Sequence, residues 1–295
     1  MAEAVGAVAR VAGAVRIPKE AGMSVNRNKR TSCATLAAGL LLTAAAAAQQ
    51  QPVGYEDTPK LPGLPWKVHD PNRPVPPVVA PGASFSDMAA APGDAVVLFD
   101  GTDLSKWQKP NGDEPEWKVE NGYMEVTSTG SIRTRDEFGD FQLHLEFATP
   151  GKVESNSQGR GNSGVMIYGD YEVQILDSYE NRSYADGQAG ALYGQTPPMV
   201  NSSRAPGVWQ TYDIIFEAPR WKDGELVKKA NVTVIHNGVV IHHKKEYIGR
   251  TIHRRVGVYD RPHEPRGWIG LQDHRNPTRF RNVWIRELPG YDSGG

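Results

Sequence analysis

The sequence has one cysteine, Cys33, in 295 residues, so no disulfide can form within the chain and a disulfide-stapled scaffold is excluded. An excess of one charge sign is also missing. With 33 basic and 34 acidic side chains the formal net charge is -1, which offers no field for nucleic acid or an anionic membrane and suits a small neutral ligand. A long apolar run occurs only from Cys33 to Ala48, too short and too alanine-rich for a membrane span. It follows Arg27, Lys29 and Arg30 and ends in small residues, the build of a secretory signal peptide. Residues 1–48 therefore read as a leader, with cleavage after Ala48, Met23 as the favoured start and an amphipathic N-terminal helix as the alternative for 1–22. The mature protein then has no cysteine and is expected in the periplasm or the medium. Cys33 precedes the apolar run instead of following it, which argues against a lipid-anchored cysteine.

Residues 49–93 hold ten of the 22 prolines and little periodicity. Proline fixes φ and removes a backbone donor, so this segment reads as extended, polyproline-like chain. Trp66, Val68, Val78 and Val79 give it apolar points, and wrapping over a domain is favoured above a free tether. From 94 to 289 helical periodicity is nearly absent, and short apolar runs alternate with turn signals. In 141–149 Phe141, Leu143, Leu145 and Phe147 alternate with Gln142, His144 and Glu146, the pattern of a half-exposed strand, with His144 expected at the surface. Asn121-Gly122 and Asn237-Gly238 each sit between two strand-like runs, the favoured type I′ hairpin pair. The fold expected is an all-β sandwich of two antiparallel sheets, followed by a tail over 290–295.

One stretch, Tyr171 to Asp177 (YEVQILD), concentrates polar groups on a strand. Strand alternation turns Val173 and Ile175 to the core and puts Glu172 and Gln174 on the other face. Asp177 joins that row only if a bulge resets the alternation. In GLQDH, Gln272 and His274 share one face and can meet Glu172. Tyr168, Tyr193 and Trp209 are candidates for stacking on a sugar ring, whereas Trp107, Trp117 and Trp284 read as core. Gly161 and Gly164 of GNSG suit a turn with positive φ. His242, His243, His253 and His263 lack zinc spacing and read as structural or solvated. No metal or other cofactor is required on this reading. Ca²⁺ held by Glu172, Asp177 and a backbone carbonyl stands as a minority alternative.

The elements LFDGTDLSKW, GNSGVMIYG, YEVQILDSY, PGVWQTYDIIFEAPRW, the second Asn-Gly turn and GLQDHRNPTRFRNVWIREL occur in the order that marks the 3-keto-disaccharide hydrolase domain family, which the chain resembles over about 95–288. The proline-rich PKLPGLPWKVHD resembles the lead-in of secreted members, while the basic loop Arg250 to Arg266 has no counterpart in the family's core. The resemblance implies a concanavalin A-like jelly roll that cleaves glycosides whose sugar carries a 3-ketone. Glu172, Gln174 and Asp177 are similar to the E-x-D-x-x-E strand of retaining glucanases, but with the central acid replaced by an amide and the last Glu by Asp. Ordinary retaining hydrolysis needs two carboxylates about 5–5.5 Å apart. A 3-ketone acidifies the C2 proton, so elimination needs only a base, an acid and a donor to the enolate oxygen. Glu172 or Asp177 then serves as base and His274 as acid or enolate donor, with Asn162, Gln174, Gln272 and Arg281 binding hydroxyls or the ketone. The expected partner is a 3-keto disaccharide or glycoside, made by a sugar oxidoreductase. A carbohydrate-binding module without chemistry, an ordinary glucanase-like hydrolase and a matrix protein attached through the proline-rich lead remain the alternatives.

Overall fold

The computed structural model describes residues 50–290, so the leader, Met23, Cys33 and all of the tail but Gly290 lie outside the described residues. Strands β1 (Val96–Phe99), β2 (Trp107–Gln108), β3 (Lys118–Glu120), β4 (Tyr123–Glu125) and β5 (Ile132–Thr134) precede the long β6 (Phe141–Ala148). Next come β7 (Ser163–Ile167), β8 (Tyr171–Ile175), β9 (Gln210–Glu217), β10 (Arg220–Lys222) and β11 (Glu225–Lys228). The set closes with β12 (Asn231–His236), β13 (Val239–Glu246), β14 (Ile269–Leu271) and β15 (Arg279–Glu287).

All pairings between these strands are antiparallel. The larger sheet runs β13-β12-β9-β6-β15-β4-β3 with β1 also on β15, the smaller runs β2-β5-β14-β7-β8, and β10-β11 stands apart. The two sheets pack as a jelly-roll sandwich. Phe141, Leu143, Leu145 and Phe147 of β6 enter its core with Tyr212, Ile214 and Phe216 of β9, and meet Tyr171, Val173 and Ile175 of β8. The period-two repeat is thus what buries one side of each strand. Both Asn-Gly turns take the type I′ form, with positive φ at Asn121, Gly122, Asn237 and Gly238. Asp223-Gly224, between β10 and β11, does the same.

Part of the outward face of the larger sheet, around His144, is covered as well. His144 has no exposed surface, against the expectation from its alternating strand. Its Nδ1 lies 2.7 Å from Asp213 Oδ1, and its ring stacks on Trp284 at 5.1 Å. Residues 85–89 roof this face: Ser86 Oγ donates to Asp213 (2.8 Å), the Met88 N–H to Glu146, and Asn282 Nδ2 to the Ala89 carbonyl (3.0 Å). Trp284 is therefore buried under the roof, where a register shift between Arg281 and Trp284 turns it outward. Periodicity finds the outward side of a strand but not what lies on top of it.

The proline-rich segment wraps, but not as a plain extended strap. It folds back on itself, with Lys60 bridging Lys67 and the Tyr55 N–H donating to the His69 carbonyl (2.8 Å). Leu61 and Val68 are buried and Trp66 is half-buried, whereas Val78 and Val79, expected to dock, are exposed. Among the described residues no helix is long and apolar enough to cross a membrane.

Candidate active site

Strand β8 lies at the edge of the smaller sheet, and a loop closes that edge: Gln174 N–H donates to the Ala191 carbonyl (2.9 Å) and Gly190 N–H to the Gln174 carbonyl (2.8 Å). Glu172 and Gln174 project from β8 away from the core and are 5% and 1% exposed. Across the hairpin Gln174 pairs with Gly164 of β7. A Cβ on Gly164 would come within 2.6 Å of Glu172 Oε1, so this glycine leaves room for the carboxyl group. Its φ is not in the left-handed region, unlike that of Gly161 at +54°. Space, not backbone conformation, calls for glycine at 164.

Glu172 and Gln174 form the floor of a cavity of about 480 Å³, a size suited to a small organic ligand. Asn162, Gln158 and Gln272 add amides, and His274 and His253 add imidazoles. Tyr184 and Tyr193 make an aromatic wall with Tyr55. The amides are oriented by one another: Gln158 Nε2 donates to Ser183 Oγ (2.6 Å) and the Gly187 carbonyl (2.9 Å), and Gln158 Oε1 accepts from Gln174 Nε2 (2.9 Å). Gln174 Oε1 is buried and left without a partner. On the wall, Tyr193 Oη lies 2.8 Å from Tyr184 Oη and 3.1 Å from His253 Nδ1.

Glu172 is the one carboxylate among the lining residues, and no arginine or lysine lines the cavity. Burial with no ion partner pushes its pKa up to about 8, so at neutral pH it is mostly a protonated acid. Burial holds the His274 imidazole below its ordinary value. His253 is lowered by burial and then by the neighbouring His69, Arg254 and His274. Both rings are neutral at pH 7. The site thus holds one proton donor and two neutral imidazoles, a combination suited to paired proton transfer.

Four residues singled out from the sequence lie elsewhere. Strand β8 ends at Ile175, Ile175 and Leu176 are both buried, and Asp177 opens into a neighbouring hollow of about 450 Å³. There it pairs with Arg160, at 2.8 Å to Nε and 2.6 Å to Nη2. The three-member row is corrected to two members, and Glu172 and Asp177 do not share the cavity that a Ca²⁺ site between them would need. Tyr168 sits in the β7-β8 turn, where its hydroxyl donates to the Gly139 carbonyl (2.7 Å) and its ring packs on Phe216. Trp209 and Arg281 meet on the outward face of the larger sheet, with the guanidinium 4.2 Å from the ring and Arg281 Nε 2.7 Å from Glu146 Oε2. Arg281 faces Glu146 in the β15-β6 register, and that outward face alternates away from the core. Among the described residues no group of three or more His, Cys, Asp or Glu is placed to hold a metal ion.

The reading from sequence missed Gln158, Tyr184, Thr251, His253 and Tyr55. His253 was visible but read as structural, because its place at the cavity depends on the loop 250–266. That loop is anchored by the Thr251 N–H to the Asp170 carbonyl (2.6 Å) and by Thr251 Oγ1, which accepts from the Glu172 N–H (3.2 Å).

A profile described as the 3-keto-alpha-glucoside-1,2-lyase-like domain matches residues 94–286. The chain belongs to this family. Among solved structures it is similar to a candidate glycosyl hydrolase of Parabacteroides distasonis, at 44% identity and a TM-score of 0.65, over 73% of this chain and 93% of that one. A second candidate glycosyl hydrolase of that organism matches at 20% identity and a TM-score of 0.48, over 66% of this chain and 94% of the other. No curated protein matches. Membership makes the chain one of a glycan-acting family, and the cavity beside β8 is where its polar and titratable groups converge.

Proposed function

We propose that the protein cleaves glycosides of 3-keto sugars by elimination across C1 and C2 followed by hydration. The observation that carries this reading is the single buried carboxylic acid, Glu172, facing neutral imidazoles in a cavity whose lining holds no second carboxylate. A double-displacement glycosidase needs a carboxylate pair about 5–5.5 Å apart, and the cavity has none to offer. Elimination needs one base and one acid.

In this reading His274 takes the C2 proton as a neutral imidazole, and the electron pair moves toward the C3 ketone oxygen. Gln272 donates to that developing enolate, and Gln174 braces the Gln158 amide through its Nε2. The Glu172 carboxylic acid protonates the glycosidic oxygen as the C1–O bond breaks and the C1–C2 double bond forms. The aglycone leaves as an alcohol, water adds at C1, and C2 regains a proton. Burial favours the donor role for Glu172 over the base role, because an acid with a pKa of about 8 holds its proton at neutral pH. The family description, a 1,2-lyase of 3-keto-alpha-glucosides, supports the same bond change. No metal enters these steps. The leader read from residues 23–48 puts the activity outside the cytoplasm, downstream of an oxidoreductase that makes the ketone.

The test is incubation of the protein with p-nitrophenyl 3-keto-α-glucoside and with its unoxidised parent in D₂O. Release from the keto compound alone, with deuterium at C2 of the sugar beyond that exchanged by the free product, is the expected outcome. Release from the unoxidised parent, or a C2 that keeps its hydrogen, rejects elimination.

A further inference from the structure

The cavity has one wall that the family-matched span, residues 94–286, does not supply. Gln51 and Tyr55 line it from the proline-rich extension. This part of the extension is built into the fold. Gln51 N–H donates to Asn156 Oδ1 (2.8 Å), Asn156 Nδ2 donates back to the Gln51 carbonyl (2.9 Å), and Ser157 Oγ donates to the Pro52 carbonyl (2.7 Å). His69 is fully buried, with its backbone N–H donating to Asp186 Oδ2 (3.0 Å) and its Nδ1 3.3 Å from Asp186 Oδ1. Arg73 donates from Nη1 to the Gln195 carbonyl (3.1 Å) and pairs with the same Asp186.

Around the His69 ring the aromatic wall assembles: Tyr184 at 4.2 Å, Tyr193 at 4.8 Å, His253 at 5.4 Å and Tyr55 at 6.1 Å between centroids. Four rings packed about a fifth have little freedom to move. Tyr55 is also pinned from the other direction. The Arg254 guanidinium lies 4.3 Å from its ring centroid and pairs with Asp57 of the extension. Yet Tyr55 stays half-buried and lines the cavity. A large, flat, immobilised ring beside neutral amides suits the apolar face of a sugar ring.

We propose that residues 50–73 are a wall of the substrate cavity, with Tyr55 the platform on which a sugar ring of the glycoside lies, so that substrate selection depends on a segment outside the family-matched span. This rests on the reading of the cavity as a keto-glycoside site. His69 acts as a positioning residue that holds Tyr55, Tyr184 and Tyr193 in place.

The experiment compares the full chain with Tyr55→Ala, Tyr55→Phe and Arg254→Gln. Two separate readouts are turnover of p-nitrophenyl 3-keto-α-glucoside and calorimetric affinity for its unoxidised parent. For Tyr55→Ala the expected result is a KM about tenfold higher and an affinity about tenfold weaker, with kcat within about twofold. That change corresponds to ~1.4 kcal/mol, within the range of aromatic contacts. Tyr55→Phe keeps the ring and returns both values to those of the parent, which a loss through misfolding would not do. Arg254→Gln loosens the platform and raises KM about threefold; it decides the matter if Tyr55→Ala does not fold. Unchanged KM and affinity in Tyr55→Ala, equal losses in Tyr55→Ala and Tyr55→Phe, or a parent that binds neither compound overturns the proposal. A parent that binds the unoxidised glycoside but fails to turn over the keto compound sinks the elimination reading alone, and the affinity readout still decides the role of Tyr55.

Discussion

Replacing Glu172 by Gln should stabilise the protein at neutral pH while abolishing most of its activity. The carboxyl group is 5% exposed and has no ion partner, and burial moves its pKa from the ordinary 4.5 to about 8. A shift of that size disfavours the ionised form by about 5 kcal/mol, at 1.36 kcal/mol per pH unit. The sign follows from linkage. The folded-state pKa is raised, so Glu172 imposes no penalty below pH 4.5, and the penalty grows as pH rises until it is complete above about 8. At pH 7 it amounts to roughly 3 kcal/mol, which glutamine, neutral at every pH and nearly the same shape, removes. Urea unfolding at pH 4, 7 and 8.5 reads this directly. The expected gain for Glu172→Gln is near zero at the lowest pH and roughly 3 kcal/mol at neutrality, against a kcat reduced by about 10²–10⁴-fold for loss of a general acid. A variant whose stability relative to the parent does not change with pH would refute the burial argument. A variant that keeps full turnover would refute the donor role.

Three further outcomes test other parts of the reasoning. The pH profile of kcat/KM should rise on an acid limb displaced below pH 6.5 as His274 loses its proton, and fall as Glu172 ionises near 8; a rate that rises through pH 8 would make Glu172 the base. Asp177→Asn should leave kcat within about twofold, because Asp177 opens into the neighbouring hollow, while costing only about 1 kcal/mol in urea unfolding, because burial raises the Asp177 pKa despite its Arg160 pair; a large loss of kcat would return Asp177 to the catalytic set. Gly164→Ala places a methyl 2.6 Å from Glu172 Oε1, so turnover should fall about 10²-fold with destabilisation near 1–3 kcal/mol; normal kinetics would show that the carboxyl group has room to move.

What the sequence determined by itself is local. The alternation in β6 and in YEVQI places each side chain on one face or the other, because a strand turns successive residues to opposite sides whatever surrounds it. The same rule put Glu172 with Gln174, and both line one cavity with Gln272 and His274. Asn-Gly fixes a hairpin because only a few residue types accept positive φ at both turn positions. What only the tertiary structure decided depends on which distant segments come to rest against those faces. Asp177 lies past the end of β8, where the backbone follows Arg160 and no longer the pleat. His144 faces outward as its alternation requires, yet residues 85–89 roof it. His253 and Tyr55 reach the cavity through a loop and an extension held by contacts such as Gln51 to Asn156 and His69 to Asp186, more than a hundred residues apart in the chain. Alternation is set by the backbone of two neighbouring residues, whereas contacts across such distances are selected by the free energy of the whole packed domain, and no short stretch of sequence carries that information.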